Sequence, residues 1–216
     1  ANVSANRIGG FLGRSGIEAN NMNIGALSEL NIIANNEISG RTQTANGATG
    51  ITRGIWLTGN TANGRDGIAL LHNTVSFVPL GTNTAATQAL LVVEGGTGAT
   101  QPFDSLVILN NIFAEGIATS QSPANFGLVV FSNAATADSA VIGYNNYYRP
   151  LENLLAPQFR VLNPAPATAY NVYNEWRLDY PQDSASVSVR PFFVADSLLL
   201  PVSIAFDNLG LPLANI

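Results

Sequence analysis

The stretch Asp66-Gly-Ile-Ala-Leu-Leu-His72-Asn73-Thr74-Val75-Ser76 decides how this chain folds. It contains a short apolar run, a polar bend, and a second short run that begins directly after the bend. The pattern "asparagine, any residue, apolar residue" recurs at Asn6, Asn36, Asn73, Asn111 and Asn146. The steps between these asparagines are 30, 37, 38 and 35 residues (36−6, 73−36, 111−73 and 146−111). A nearly constant period in this range predicts stacked structural repeats.

Each repeat is predicted to hold three short strands. In the repeat around Asn73 these are residues 54–60, 67–72 and 74–78, separated by bends and followed by a polar loop. The runs are rich in Ile, Val and Leu and are bounded by Gly and Asn, which is typical of strands. Helix start and stop signals at useful spacing are absent between residues 1 and 148. Repeats of this kind bury their inner faces only by stacking on one another.

The middle strand of each repeat has a predicted inward face. Side chains alternate along a strand, so the residues three and five positions before each asparagine share one side. These pairs are Asn31/Ile33, Ile68/Leu70, Leu106/Ile108 and Val141/Gly143. The intervening residues are apolar too, which predicts that a loop covers the outer face. Asparagine suits the bend because it tolerates left-handed backbone and its amide can bond to the next repeat; the alternative, that asparagine only marks exposed turns, stays open.

This pattern resembles the right-handed parallel β-helix repeat of the pectate-lyase-like superfamily, in which an asparagine ladder occupies one turn of each coil. The resemblance covers residues 1–148. It implies an all-β fold, a right-handed parallel β-helix (solenoid) of about five coils.

The character of the sequence changes after Tyr148, because prolines interrupt any regular repeat. Residues 149–216 are predicted to form final irregular coils and a C-terminal cap of the same domain. They are similar to the closing segment of many secreted β-helix proteins, which runs Trp-Arg, Asp-x-x-Ser, Pro-x-Phe-Val, Leu-x-Leu and Gly. The matching stretches here are Trp176-Arg177, Asp183-Ser184, Arg190-Pro-Phe-Phe-Val194, Ser197-Leu-Leu-Leu200 and Asn208-Leu-Gly210. A cap protects the open strand edges of a solenoid.

Composition narrows the possible partners. The formal net charge is −5 and all nine basic residues are arginines, which argues against nucleic-acid binding. No apolar run reaches the roughly 18 residues of a membrane span. The chain opens inside a repeat, so we expect it to be either a mature form or a piece of a longer polypeptide, with the remainder of that polypeptide as its partner. We expect the protein to be secreted or exposed at the cell surface. It contains no cysteine, which excludes disulfides and thiolate metal sites.

Carbohydrate is the partner that the resemblance suggests. Many proteins of this superfamily cleave polysaccharides, yet the Asn-x-Asp, Asp-Asp and Gly-His-Gly sets of its hydrolases are missing here, and so is lysine. Trp56 is expected to point outward between Glu18 and Val92, where a tryptophan could stack on a sugar ring. We therefore take Trp56 and Glu18 as candidate ligand-binding residues; a loop covering Trp56 is the alternative. His72 aligns with Asn35, Asn110 and Asn145 at the turn, either as a hydrogen-bonded member of that row or as a catalytic base.

Acidic residues recur near the start of the middle strand. Glu29, Asp66 and Asp104 lie seven residues before their ladder asparagines, and Asp138 lies eight before Asn146. Stacked carboxylates would form a hard-cation site for calcium. Alternatively, each acid accepts backbone N–H bonds at its own turn. No cofactor is required on either interpretation.

The sequence thus favours a non-catalytic β-helix module of a large secreted or cell-surface bacterial protein, serving as a rigid stalk or a carbohydrate-facing adhesive surface. No residue is assigned a catalytic role. The alternative is a polysaccharide lyase or glycoside hydrolase whose catalytic residues lie partly outside this sequence.

Overall fold

The computed structural model of the 216-residue chain describes part of its length. The described residues are 1–11, 15–20, 23–24, 30–41, 53–59, 65–78, 88–94, 103, 105–115, 126–150, 157–163, 166–191, 193–195 and 198–201.

The described segments are mostly short strands. In chain order these are β1 (Asn2–Ser4), β2 (Arg7–Phe11), β3 (Ser15–Asn20), β4 (Asn23–Ile24), β5 (Asn31–Ala34), β6 (Glu37–Arg41), β7 (Arg53–Thr58), β8 (Arg65–Leu71), β9 (Thr74–Val78), β10 (Gln88–Glu94), β11 (Ser105–Leu109), β12 (Ile112–Glu115), β13 (Phe126–Phe131), β14 (Val141–Gly143), β15 (Asn146–Tyr148), β16 (Phe159–Val161), β17 (Thr168–Tyr170), β18 (Phe193–Ala195) and β19 (Leu198–Pro201). The helices are α1 (Ala134–Ser139), α2 (Tyr173–Asp179) and a single 3-10 turn (Pro181–Asp183).

Three sheets hold nearly all of these strands. The first has the order β1-β5-β8-β11-β14, the second β2-β6-β9-β12-β15, and the third β3-β7-β10-β13-β16-β17. Within each sheet a strand pairs in parallel with the corresponding strand of the next repeat; the pairings of β17 with β16 and of β4 with β8 are antiparallel. The molecule is mostly β, and its parallel strands stack in register, in agreement with the all-β prediction. This arrangement is consistent with a β-helix-like solenoid.

The strands around Asn73 lie close to their predicted positions. Residues 54–60, 67–72 and 74–78 correspond to β7, β8 and β9, and the bounds of β9 are identical. Each strand points one row of apolar side chains towards the space between the sheets. The burial of these side chains stabilises the stacked arrangement. That space forms the main core, which includes Ile33, Ile68, Leu70 and Ile108.

The predicted inward pair Val141/Gly143 is wrong by one residue. Val141 is 57% exposed, whereas its neighbours Ala140 and Ile142 belong to the core. The register explains the difference, since Ile142 stands beside the inward-facing Ile108 and Val141 beside Val107. On the outer face of the first sheet, apolar side chains form a second, smaller cluster, composed of Ala34, Ala69, Leu71 and Leu109.

A short helix contradicts the expectation that residues 1–148 contain none. Helix α1 begins after Asn133, whose side-chain oxygen accepts the backbone N–H of Ala135 at 2.8 Å. Asparagine is a favourable N-cap because it satisfies one of the free amides of the first turn. Within the described part of the chain, no helix is long and apolar enough to cross a bilayer.

The C-terminal region closes the core with aromatic side chains. Trp176 of α2 stacks on Phe159 and Phe131, with ring centroids 4.8 and 5.8 Å away, and on Tyr180 at 3.9 Å. The first two partners lie on β16 and β13 of the third sheet. β16, which lies beyond residue 148, pairs in parallel with β13 and so extends the third sheet.

Candidate functional site

A chain of asparagine side chains runs through the stacked repeats. The Nδ2 group of Asn6 donates to Oδ1 of Asn36 at 3.0 Å, and the same bond joins Asn36 to Asn73 at 2.9 Å. It continues from Asn73 to Asn111 at 3.0 Å and from Asn111 to Asn145 at 3.1 Å. Each accepting Oδ1 also receives the backbone N–H of the preceding asparagine, at 2.9 to 3.1 Å. These five residues, named here the asparagine ladder, make a continuous hydrogen-bonded row.

The local backbone explains why asparagine occupies these positions. The residue directly before each ladder asparagine has a φ between 55° and 60°; these residues are Ala5, Asn35, His72, Asn110 and Tyr144. The left-handed residue turns the chain between the first and second sheets, so the next side chain points into the stack. There the amide also donates to a carbonyl of the preceding repeat, as Asn73 does to Ile33 at 2.8 Å and Asn145 to Ile108 at 2.8 Å. A buried amide needs these partners, and asparagine finds all of them in this turn.

The last ladder member is Asn145 and not the predicted Asn146. Tyr144 carries the left-handed turn, and Asn146 is already part of β15, paired with Ile112. The side chain of Asn146 serves the C-terminal region instead. Its Nδ2 donates to the carbonyl of Val189 at 2.8 Å, and its Oδ1 accepts the N–H of the same residue at 2.9 Å.

The ladder ends on a serine and a buried carboxylate. The backbone N–H of Asn145 donates to Oγ of Ser186 at 2.8 Å, and the Ser186 hydroxyl donates to Oδ1 of Asp183. The other oxygen of Asp183 accepts the indole N–H of Trp176 at 2.9 Å. Burial raises the pKa of Asp183 to about 6, although hydrogen bonds from Ser186, Trp176 and Tyr147 oppose the shift. Asp183 and Ser186, the two ends of the Asp-x-x-Ser pattern, thus bind the last residue of the ladder, Asn145.

A buried ion pair, which the sequence analysis does not predict, joins two neighbouring repeats. Glu115 and Arg149 form an ion pair whose side chains are both 0% exposed. Burial lowers the pKa of Arg149, and the charge of Glu115 opposes that shift. The signal that could have identified them is spacing: Phe77, Glu115 and Arg149 each follow a ladder asparagine by four residues, and Glu115 stands beside Phe77 in the second sheet. All three therefore occupy the same inward position.

The structure does not present Trp56 as a sugar-stacking surface. The expected register is present, since Trp56 stands between Glu18 and Val92, but only 8% of Trp56 is exposed. The guanidinium of Arg53 lies 3.8 Å from the centre of its ring, and the indole N–H donates to Glu94 at 2.9 Å. Arg53 and Glu94 thus occupy the face and the polar edge that a sugar would use. Glu18 itself is exposed and accepts a hydrogen bond from Asn20 at 3.0 Å.

His72 belongs to the row of left-handed turn residues. Its Nε2 lies 3.3 Å from Nδ2 of Asn110 in the next repeat, and partial burial lowers its pKa. A neutral imidazole can accept that amide hydrogen. The row continues to Tyr144, and the expected member Asn145 lies one position further on, in the ladder.

Of the four acidic residues in the predicted row, the structure describes only Asp66 and Asp138. Glu29 and Asp104 lie outside the described residues, and the backbone of Asp66 lies within β8, opposite Asn23. Asp138 is exposed on α1 and not at the start of a strand, because the helix replaces the turn that the sequence suggested. Among the residues that the structure describes, no group of three or more His, Asp or Glu side chains is placed to hold a metal ion.

Comparisons of this chain with family models, with curated proteins and with solved structures gave no match. The functional argument therefore depends on the geometry of the ladder and of the buried charges.

Proposed function

We propose that this chain is a non-catalytic structural module of a large secreted or cell-surface bacterial protein, acting as a rigid stalk segment. In this proposal the three sheets form a right-handed parallel β-helix of about five coils, with residues 1–148 as regular coils and 149–216 as final coils and cap. The right-handed sense agrees with the strong preference of parallel crossover connections. The likeness to the pectate-lyase-like superfamily is part of this proposal.

The observation that carries the proposal is the continuity of the asparagine ladder. It joins five successive turns by side-chain bonds of 2.9 to 3.1 Å and ends on Ser186. A buried amide that loses its partner pays the full cost of desolvation, so each repeat is held by both neighbours. Such mutual dependence favours a stack that resists local opening, as a rigid stalk segment must.

The buried charged groups support a structural role as well. Glu115, Arg149 and Asp183 have almost no exposed surface, so a polymeric substrate would not reach them in this structure. Their partners are other buried groups of the chain: Glu115 pairs with Arg149, and Asp183 accepts bonds from Trp176 and Ser186. These groups hold the interior and the cap together.

The test combines rigidity with activity. Hydrogen exchange followed by mass spectrometry should show that amides of the three sheets exchange only through global unfolding. The chain should also release no new reducing ends or unsaturated products from a panel of uronic-acid and neutral glycans. Turnover that disappears when the chain is unfolded would overturn the proposal and favour a polysaccharide lyase or hydrolase.

Polysaccharide binding and calcium binding stay predictions. A polysaccharide contact would have to use exposed groups such as Glu18, because Trp56 is covered.

For calcium, melting curves recorded with millimolar calcium and with a chelator are compared in the wild type and in the double variant Asp66→Asn/Asp104→Asn. A shift in the wild type that is smaller in the variant supports a site at the acidic row; superimposable curves remove it.

A further inference from the structure

Residues 181–189 continue the asparagine ladder by one more position. The backbone N–H of Asn145 donates to Oγ of Ser186 at 2.8 Å, as each earlier ladder residue donates its N–H to the Oδ1 of the next. The N–H of Val187 donates to the carbonyl of Asn145 at 2.8 Å, and the residue after an earlier ladder asparagine makes the same bond. Val187 also pairs in parallel with Asn146. Ser186 therefore stands at the next ladder position, 41 residues after Asn145.

The side chains of this segment differ from those of the repeats before it. In four earlier repeats the residue three positions before the ladder asparagine is a buried apolar residue of the core: Ile33, Leu70, Ile108 and Ile142. Here that residue is Asp183 (186 − 3), on the 3-10 turn that contacts β14 of the first sheet. Asp183 and Ser186 are the only buried residues among 181–189, all of which the structure describes. This segment, named here the terminal strap, is thus fastened by a polar pair and not by apolar burial.

The carboxyl group of Asp183 has no counterion in the described part of the chain. Its oxygens accept hydrogen bonds from uncharged groups, among them the indole N–H of Trp176 at 2.9 Å and the hydroxyl of Ser186. The buried carboxylate of Glu115, in contrast, pairs with Arg149. A buried charge without a counterion is costly, so the neutral form of Asp183 suits this site better than the ionised form. In agreement, burial raises the pKa of Asp183 to about 6.

The other titratable groups around Asp183 do not supply that counterion. The 3-10 turn contacts β14, α1 and α2, and Asp183 itself accepts a hydrogen bond from β15. Strand β14 has no titratable side chain; the other elements and the residue before the turn carry Tyr147, Tyr148, Asp138, Tyr173, Glu175, Arg177, Asp179 and Tyr180. Burial raises the pKa of Tyr173 to about 12 and the pKa of Tyr147 well above its usual value, so both phenols stay neutral. Glu175 and Asp179 accept hydrogen bonds from other groups, and the one cation, Arg177, is exposed to solvent.

We propose that the terminal strap is a pH-dependent latch, which detaches from the ladder on its own when Asp183 loses its proton. Its remaining attachment at the far end is polar too, since Val189 exchanges two hydrogen bonds with the side chain of Asn146 and is itself 38% exposed. Detachment uncovers the N–H of Asn145 and leaves the three sheets stacked. The inference goes beyond a uniformly rigid stalk, because it assigns one segment whose attachment responds to pH.

Residue-resolved hydrogen exchange of the whole chain tests the latch. The reporters are the N–H groups of Asn145, Val187 and Val189, which donate across the joint between strap and ladder. After correction for the intrinsic pH dependence of exchange, their protection should fall by about tenfold between pH 5 and pH 8, since the detached form is already ionised at pH 5. Local detachment also predicts that dilute urea does not change this protection. Asn73→Leu, which lowers global stability, should not change it either.

Two matched variants assign the effect to one carboxyl group. Asp183→Asn does not titrate and should remove the pH dependence of the three reporters. Asp179→Asn removes an exposed carboxylate of α2 that binds Tyr170, and it should leave the pH dependence as it is. In the wild type, the carboxyl carbon resonance of Asp183 should titrate over the pH range in which protection is lost, which provides a test even if Asp183→Asn fails to fold.

The latch is overturned if the reporters exchange at the rate of the sheet amides and respond to urea as they do. It is also overturned if the pH dependence persists in Asp183→Asn, disappears in Asp179→Asn, or falls outside the titration range of Asp183. Exchange of the sheet amides and glycan turnover are read separately, so the proposed function can fail on its own.

Discussion

The indole nitrogen of Trp176 lies 2.9 Å from Oδ2 of Asp183, and both side chains are almost fully buried. The opposite oxygen of Asp183 accepts the hydroxyl of Ser186, which in turn holds the last ladder residue, Asn145. One carboxyl group therefore connects the aromatic cluster around Trp176 with the asparagine ladder. Because burial raises the pKa of Asp183 to about 6, this connection depends on pH.

Stability should fall as the pH rises through the range in which Asp183 ionises in the folded chain. Its folded pKa of about 6 lies above the ordinary unfolded value of roughly 3.9, so the folded state binds the proton more tightly. The contribution is fully present below about pH 4 and is lost as the pH passes 6. It amounts to about 2–3 kcal/mol. Denaturant unfolding of the wild type between pH 4 and pH 8 measures it.

The matched control is Asp183→Asn, which keeps an acceptor for Trp176 but does not titrate. Subtracting its pH profile from that of the wild type removes the contributions of the other acids. A difference profile without a slope between pH 4 and pH 7 would show that Asp183 is not the group responsible.

Replacing Asn73 with leucine should destabilise the chain by roughly 1–3 kcal/mol, because the neighbouring amides of Asn36 and Asn111 lose buried partners. Asn6→Leu is the control. Asn6 is exposed at the end of the ladder, so its loss should cost less than about 1 kcal/mol. Thermal and urea unfolding of both variants decide the point; equal losses would mean that the ladder carries no special stability in its interior.

The adjacent residues Asn145 and Asn146 should give different defects when each is changed to alanine. Asn145→Ala interrupts the ladder and should lower global stability by roughly 1–3 kcal/mol. Asn146→Ala removes two bonds to Val189 and should mainly loosen the segment around that residue. Residue-resolved hydrogen exchange separates the two: we expect faster exchange of the Val189 amide in Asn146→Ala before any change in the strands of the first sheet. The reverse pattern would place Asn146 in the ladder after all.

The ion pair between Glu115 and Arg149 should behave as a unit. Either Glu115→Gln or Arg149→Met alone leaves a buried charge without its counterpart and should cost about 3–5 kcal/mol. The double variant should cost clearly less than the sum, since no charge is left behind. A double-mutant cycle from urea denaturation tests this expectation; simple additivity would show that the two side chains do not stabilise each other.

The ladder could be predicted from the sequence because asparagine, turn and apolar neighbour recur together. The single error, Asn146, arose where two asparagines are adjacent and both are followed two positions later by an aromatic residue. The left-handed backbone of Tyr144 decides between them, because it places the side chain of the next residue, Asn145, in the ladder. Local sequence holds no information on which of two neighbouring amides faces inward.

Other features could not be predicted from local sequence patterns. Glu115 and Arg149 are 34 positions apart, and each alone would be predicted to face solvent. The sequence predicts that Trp56 points outward and could stack on a sugar ring. The arginine that covers the Trp56 ring lies three residues away on the same strand, and this spacing does not by itself indicate the contact. Helix α1 has only six residues, too few for a periodic pattern.

Successive ladder residues are separated by 30, 37, 38 and 34 positions, yet every step makes the same pair of hydrogen bonds. Differences of up to eight residues (38 − 30) are therefore absorbed outside the ladder. Changes in length and point substitutions therefore have different effects on the ladder. Insertions and deletions between ladder residues leave these hydrogen bonds in place, whereas point substitutions at the turn asparagines remove them. A chain of this design can change in length from repeat to repeat while its hydrogen-bonded ladder stays constant.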